Sequence, residues 1–441
     1  MGNVARTDIE KAFHNKMMWT RFGTIFLGLW LLSSPESFGY GNSQPLAWSD
    51  LFSGIALIFF GLLSMFYSCR HWIWGGCAVG IWLQLAPLVF WAKEPVIYVN
   101  DTLIGILAIA FCVLVPIRPR EFEIGPQIPK GWSYNPSSWQ QRVPVIFFGM
   151  VGWFVARYLA AYQLHYTDYV WSPMGGDGTE KVITSMVANN FPVPDAGLGA
   201  LAYSLEAIMG AKGGVRRWHT MPWLVVAFGF LVVPLGFVSI LLVMMQPIIV
   251  GAWCFLCLMI ACCMLIMLAL EVDEVIAVCQ YLHQSKKEGK PFWRTFFKGS
   301  DYAGDEPDRR TPLVSAGIGE FFKAMTWGAT IPWNLLVTAL LGGWLLFGNK
   351  VMGFSGTLSN NADVVGALTV VFSIISWAEV LRTIRFVNIL LMVWLAVVTI
   401  VWGGTLQISL ALIIGVIVAL LSILKGRRIT ETYGSWDRFI K

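Results

Sequence analysis

The chain has 441 residues, of which 56% are hydrophobic and 13% charged, with 22 Trp. So little charge on so much apolar mass excludes a soluble globule and predicts a polytopic, all-α membrane protein. The net charge of +5 resides in loop Lys and Arg, and no basic patch interleaved with aromatics argues for nucleic acid.

Hydropathy predicts about twelve spans, near residues 17–34, 51–68, 72–91, 102–117, 143–163, 195–210, 221–245, 249–270, 331–348, 362–380, 386–403 and 407–424. Several are shorter than the roughly 20 residues that cross a bilayer unaided. Arg6, Lys11, Lys16 and Arg21 precede the first apolar run and no small-residue cleavage site follows it, so a retained first span is expected. With a cytoplasmic N-terminus, the loops on that side hold Arg70, then Arg118, Arg120, Lys130 and Arg142, then Lys212, Arg216 and Arg217. Further on, the same side holds the basic stretch from Lys286 to Lys323, with Arg382 and Arg385. The opposite loops hold Lys93, Lys181 and Lys350. The positive-inside rule therefore places both termini in the cytoplasm, in what reads as a bacterial inner membrane with membrane lipid around it.

The first four spans contain a repeat. Gly28-Leu29-Trp30-Leu31 with Ser34-Pro35 is echoed by Gly80-Ile81-Trp82-Leu83 with Ala86-Pro87, and Ser49-Asp50 with Gly54-Ile55 by Asn100-Asp101 with Gly105-Ile106. The unit is a two-helix hairpin with Trp in its first helix, and with an Asp read as a helix cap and a packing Gly in its second. The pattern returns as Gly343-Trp344-Leu345 with Asp363 and Gly366, then as Val393-Trp394-Leu395 with Gly415. These hairpins resemble SPW-repeat membrane domains, of which Ser34-Pro35 is the partial signature, although Glu36 stands where the Trp is expected. They carry few buried charges and no convergent broken helices, so a structural role is expected and a transporter is not. Glu379, beside Arg382 and Arg385, reads as one side of an interfacial ion pair.

Residues 118–142, with Pro126, Pro129, Pro136, Trp132 and Trp139, form a polar, proline-broken linker, as do residues 282–330, with Asp301, Asp305, Glu306 and Asp308. Between them lies a block of about four spans. Its first carries an intramembrane Arg157, which either snorkels or pairs with Glu206. The outer segment from Leu164 to Asp195 contains Gly175-Gly176-Asp177-Gly178, which is no P-loop because no Lys-Ser/Thr follows at the required spacing. Thr179 to Ser185 reads as a short amphipathic helix at the surface, and Asp195, after Pro192 and Pro194, as the cap of the next span.

Cys254 and Cys257 stand three residues apart near the start of the block's last span. On one helix, positions i and i+3 share a face with Cα atoms roughly 5 to 6 Å apart, inside the window of a disulfide. The unpaired N–H groups of a helix start favour thiolate, so the pair reads as a redox switch, with an inert core pair or structural disulfide as the other reading.

Val182-Ile183-Thr184-Ser185, Phe191, Pro194 with Gly199 and Tyr203, a basic loop, a long span and Trp253-Cys254-Phe255-Leu256-Cys257 together resemble the vitamin K epoxide reductase family over about 130 residues. The resemblance implies a four-helix bundle around a quinone, with Cys254 and Cys257 catalytic and with Ser185, Tyr203 and Trp253 toward the quinone. It also implies a second cysteine pair in the outer loop, relaying electrons to a thioredoxin-like protein. Here that loop has no cysteine, and Thr179 stands about where one would fall. Either a partner's thiols reach Cys254 or Cys257 directly, or the bundle keeps only its fold and pocket.

The other cysteines, Cys69, Cys77, Cys112, Cys262, Cys263 and Cys279, read as buried hydrophobes or reduced thiols. No further ligands flank the pair on its helix, so no metal site is expected, and no His pair supports haem. The expected division is 1–117 SPW-like hairpins, 118–142 linker, 143–281 reductase-like bundle, 282–330 linker, 331–424 degenerate SPW-like hairpins and 425–441 cytoplasmic tail. Two function classes stay open at this level. One is a quinone-linked thiol-disulfide oxidoreductase acting on an extracytoplasmic partner. The other is a non-catalytic structural or assembly subunit that packs against other membrane subunits.

Overall fold

The computed structural model describes residues 3–115, 124–173, 176–299, 307–312, 317–426 and 429–440. Pro116, Pro119, Arg118, Arg120, Gly175, Asp301, Asp305 and Glu306 lie outside the described residues. Within the described residues there are helices and two isolated β-bridges and no strand. This is the all-α polytopic membrane fold, because a chain crossing lipid must satisfy its backbone within each segment.

The helices used below are α1 (Met18–Ser37), α2 (Gln44–Met65), α3 (Gly75–Val89), α4 (Pro95–Leu114), α5 (Trp139–Gln163), α6 (Gly178–Ile183) and α7 (Asp195–Ala211). After them come α8 (Pro222–Met245), α9 (Phe255–Lys287), α10 (Phe292–Lys298), α11 (Trp333–Gly348), α12 (Gly356–Ile375), α13 (Val387–Trp402) and α14 (Thr405–Ile423). Each of the twelve hydropathic stretches overlaps one of these helices. Nine of the described helices are long and apolar enough to span a membrane, and α11 is a shorter apolar one. The chain forms two compact units. The first comprises Met1–Glu123, Trp153–Trp171 and Ala188–Ile208, and the second Ile124–Gly152, Ser172–Val187 and Met209–Lys441.

In the first unit, α1 packs on α2 and α3 on α4 through glycines. A Cβ on Gly28 would lie 2.6 Å from the Gly54 carbonyl oxygen, and one on Gly80 2.6 Å from that of Gly105. Such backbone approach is how helices associate where lipid removes the hydrophobic drive. The two hairpins are tied reciprocally: Trp30 Nε1 donates to Asn100 Oδ1 at 2.9 Å, and Trp82 Nε1 to Ser49 Oγ at 3.0 Å. The repeat's Trp is thus a cross-link between copies. Asp50 and Asp101 are not caps. Both are buried more than a turn inside α2 and α4, whose starts carry Pro45 and Pro95, and Asp50 accepts from Tyr40 Oη at 2.5 Å. Arg157 does not pair with Glu206; its guanidinium lies 5.1 Å from the Trp153 ring and 5.9 Å from that of Tyr98. Both oxygens of the buried Glu206 carboxyl lack a hydrogen bond.

In the second unit, α11 and α12 repeat the glycine contact through Gly342 and Gly366, and Trp394 Nε1 donates to Asn361 Oδ1 at 3.1 Å. The middle of α9 carries Glu271, Asp273 and Glu274, all buried, and Tyr134 and Ser137 of the first linker bond to it. Arg217 grips Glu274 through Nε at 2.6 Å and a second nitrogen at 2.5 Å, Ser137 donates to the same carboxylate, and Tyr134 Oη donates to Asp273 at 2.5 Å. Trp132 and Tyr433 stack edge-on beside them. Glu379 forms no ion pair with Arg382 or Arg385: it accepts from Tyr433 Oη at 2.7 Å, while Arg382 donates to Thr330 and Arg385 to the Ser422 carbonyl. The chain's last segment supplies a phenol where the local sequence offered guanidinium groups.

Candidate functional site

The site is built where α8 ends and α9 begins. α8 closes in a π-turn, Gln246–Val250, which contains Pro247, and Gly251 follows in the left-handed region at φ +70°. Residues 251–254 are therefore non-helical, and the helix expected from 249 starts at Phe255. Gln246, buried in an otherwise apolar stretch, holds this corner twice. Its backbone oxygen accepts from Gly251 N–H at 2.8 Å, and its side-chain Oε1 accepts from Cys254 N–H at 2.9 Å. Sequence reasoning passed over Gln246, and the signal was there: a lone amide between two apolar spans.

Cys254 is the N-cap of α9, and its Sγ accepts from Cys257 N–H at 3.1 Å. The two cysteines form a disulfide with Cα atoms 5.3 Å apart, within the range expected for i and i+3. Reduction would leave a Cys254 thiolate facing a first-turn N–H and the positive end of the helix dipole, which stabilise negative charge on sulfur.

A short helix, α6, lies as a lid beside Cys254, while Cys257 is half-buried. A Cβ on Gly178, the first residue of α6, would lie 2.5 Å from the Trp253 carbonyl oxygen, so α6 rests directly on the backbone beside Cys254. Thr179 and Cys254 are both 0% exposed, and Ile183 is buried. The amphipathic helix expected at the surface thus turns Thr179 and Ile183 inward and leaves Glu180 and Lys181 outside. Lys181 bonds the exposed Asp177 carboxylate at 2.9 Å, which holds that carboxyl below its ordinary range.

Of the other residues singled out, Trp253 is half-buried and its ring lies 4.6 Å from that of Phe347 on α11. Ser185 is half-buried just beyond α6, in the same unit. Tyr203 is buried on α7 and belongs to the first unit, where its neighbour Ser204 donates to Gln84 Oε1 at 2.9 Å. Cys262 is exposed, contrary to the core position expected of it, because its face of α9 borders an apolar cavity. Cys279 is also exposed, within α9 itself, since that helix runs on to Lys287. Cys77 and Cys112, distant in sequence, pack in one apolar cluster with Ile73 and Val115. No group of three His, Cys, Asp or Glu gathers at metal-binding distance among the described residues.

No curated protein and no solved structure matches the chain. The cysteine pair, the first half of its helix and the preceding segments lie in residues 143–272, which match the model of the vitamin K epoxide reductase family, and the first two glycine-packed hairpins lie in residues 18–115, which match that of the SPW repeat domain. The chain therefore carries a vitamin K epoxide reductase family core next to an SPW repeat region, and this core supports a membrane thiol-disulfide oxidoreductase-like function.

Proposed function

We propose that Cys254 and Cys257 are the redox centre of a quinone-linked membrane oxidoreductase that introduces disulfides into an extracytoplasmic thioredoxin-like partner. The observation that carries this reading is the closed disulfide at the N-cap of α9, inside the family-matched stretch and held by Gln246. Cys254 lies at the helix start, and Cys257 lies three residues, or about 4.5 Å, further along its axis. With α6 lifted, a partner thiolate attacks Cys254 Sγ. The Cys254–Cys257 bond breaks, and Cys257 leaves as thiolate and takes up a proton. The partner's second thiolate then displaces Cys254, so the partner leaves as a disulfide with two electrons passed to the pair. The dithiol passes those two electrons and two protons to the quinone, giving quinol and restoring the disulfide. Trp253, with Ser185 in the same unit, is assigned to the quinone head. The lack of loop cysteines makes the partner's attack direct. The same reading puts both termini in the cytoplasm of a bacterial cell and keeps 143–281 as the reductase-like stretch between hairpin blocks.

Cys257→Ala tests it: in intact membranes this variant should accumulate a mixed disulfide between Cys254 and the partner, and Cys254→Ala should not. If neither variant traps a thiol protein and added quinone leaves the thiol state of the unaltered chain unchanged, the reading is lost. The complete burial of Cys254 beneath α6, with no cysteine between residues 164 and 195, favours a second reading, a non-catalytic assembly subunit. Stoichiometric co-purification of other membrane subunits with Cys254→Ala, without thiol cycling in the unaltered protein, would select it.

A further inference from the structure

A cavity of about 690 Å³ lies within the second unit, walled on one side by α8 and α9 and on the other by α11 and α12. Its volume is in the range of small-molecule pockets, and it is open along one side, where the lining residues Leu340, Trp344 and Val351 are exposed. Much of its wall comes from residues 339–374, outside the stretch that matches the reductase family. The room is made by small residues, notably Ala261, Gly343 and Ala367, and no charged side chain lines it. The two helices that carry most of its wall contribute from Leu258 to Leu265 and from Ala339 to Gly348, about 10 and 14 Å of helix, against a hydrocarbon core of about 30 Å.

Two contacts join one end of this cavity to the disulfide. Leu258 directly follows Cys257, and Phe347 lies against the Trp253 ring. A chain seated in the cavity would thus bring the head attached to it to the level of the sulfurs. An acyl chain would fit the same apolar wall; what favours the quinone is that the wall ends at Leu258 and Phe347, beside Cys257 and Trp253.

We propose that this cavity binds the isoprenoid tail of the quinone, so that the C-terminal hairpin α11/α12 is a tail-binding element for the cysteine pair. The inference rests on the quinone-linked reading above and adds a site to it. Gly343 offers a clean probe, because a Cβ there meets nothing within 4 Å, whereas its neighbour Gly342 is pressed against the Gly366 carbonyl.

The test uses the full chain in quinone-containing membranes, with the cavity-lining Leu340 replaced by the photocrosslinker p-benzoylphenylalanine. Irradiation should give an adduct with the mass of the isoprenoid quinone, reduced at least tenfold when Gly343→Trp is added to fill the cavity. A phospholipid adduct alone, or no lipid adduct, overturns the proposal. In parallel, re-oxidation of the reduced pair should be faster with a tailed than with a tailless menaquinone, and Gly343→Trp should shrink that advantage tenfold or more. An unchanged advantage also overturns it. If neither quinone re-oxidises the unaltered protein, the quinone-linked chemistry fails, while the adduct at position 340 still decides what the cavity holds.

Discussion

The lid over Cys254 makes a prediction that one methyl group tests. Gly178→Ala places a Cβ 2.5 Å from the Trp253 carbonyl oxygen, a backbone atom that cannot rotate away, so α6 must move outward. Overpacking of this kind costs about 1 to 3 kcal/mol. If that cost falls wholly on the closed lid, the open population rises about 5- to 150-fold, since each 1.36 kcal/mol is a factor of ten. Cys254 is fully buried when the lid is closed, so alkylation of the reduced thiol reads the open fraction directly. The assay is brief reduction in membranes, treatment with a maleimide and peptide mass spectrometry at Cys254. Labelling of the exposed Cys279 serves as an internal standard. An alkylation rate for Gly178→Ala within twofold of the unaltered protein would refute the lid.

Three further outcomes follow from the packing. Arg217→Met should destabilise the second unit by about 3 to 5 kcal/mol by leaving Glu274 buried without its cation, and Arg217→Met with Glu274→Leu should recover most of that loss; thermal unfolding in detergent reads both. A single-site loss below 1 kcal/mol would mean that the pair is not sequestered. In the first unit, Gly105→Val should force α3 from α4, because even its Cβ meets the Gly80 carbonyl at 2.6 Å, and should lower the unfolding temperature where Gly39→Ala, strained only in its own turn, changes it little. His14, which lies in the helix before the first span and bonds the Met65 carbonyl, is held below its ordinary pKa by burial, with the Arg21 and Arg70 charges acting the same way. Below pH 6.5 the unfolded chain takes up this proton more readily than the folded one. The stability contributed by neutral His14 is therefore complete above that pH and is lost as the pH falls toward and through the folded value. Protease sensitivity of the N-terminal segment should rise between pH 7 and 5, and His14→Gln should remove that rise.

The sequence alone determined that the chain spans a membrane, roughly where each helix lies, that Gly54, Gly105 and Gly366 pack, and that two cysteines stand at disulfide spacing. These are short-range properties: hydropathy acts over about 20 residues, and the i, i+3 geometry of Cys254 and Cys257 is local to one turn. Tertiary structure decided what long-range contacts decide. It took Asp50 and Asp101 from the caps into the helices, because prolines already start α2 and α4. It gave Glu379 to Tyr433, which stands 54 residues away, over the nearby arginines. It laid α6 on Trp253 and placed α11 and α12 against α9, contacts that bring together segments about 75 or more residues apart and leave no periodic trace in either one. The Cys254–Cys257 disulfide was legible from the spacing of the two cysteines. Their cover and the cavity beside them exist only once distant backbones have met.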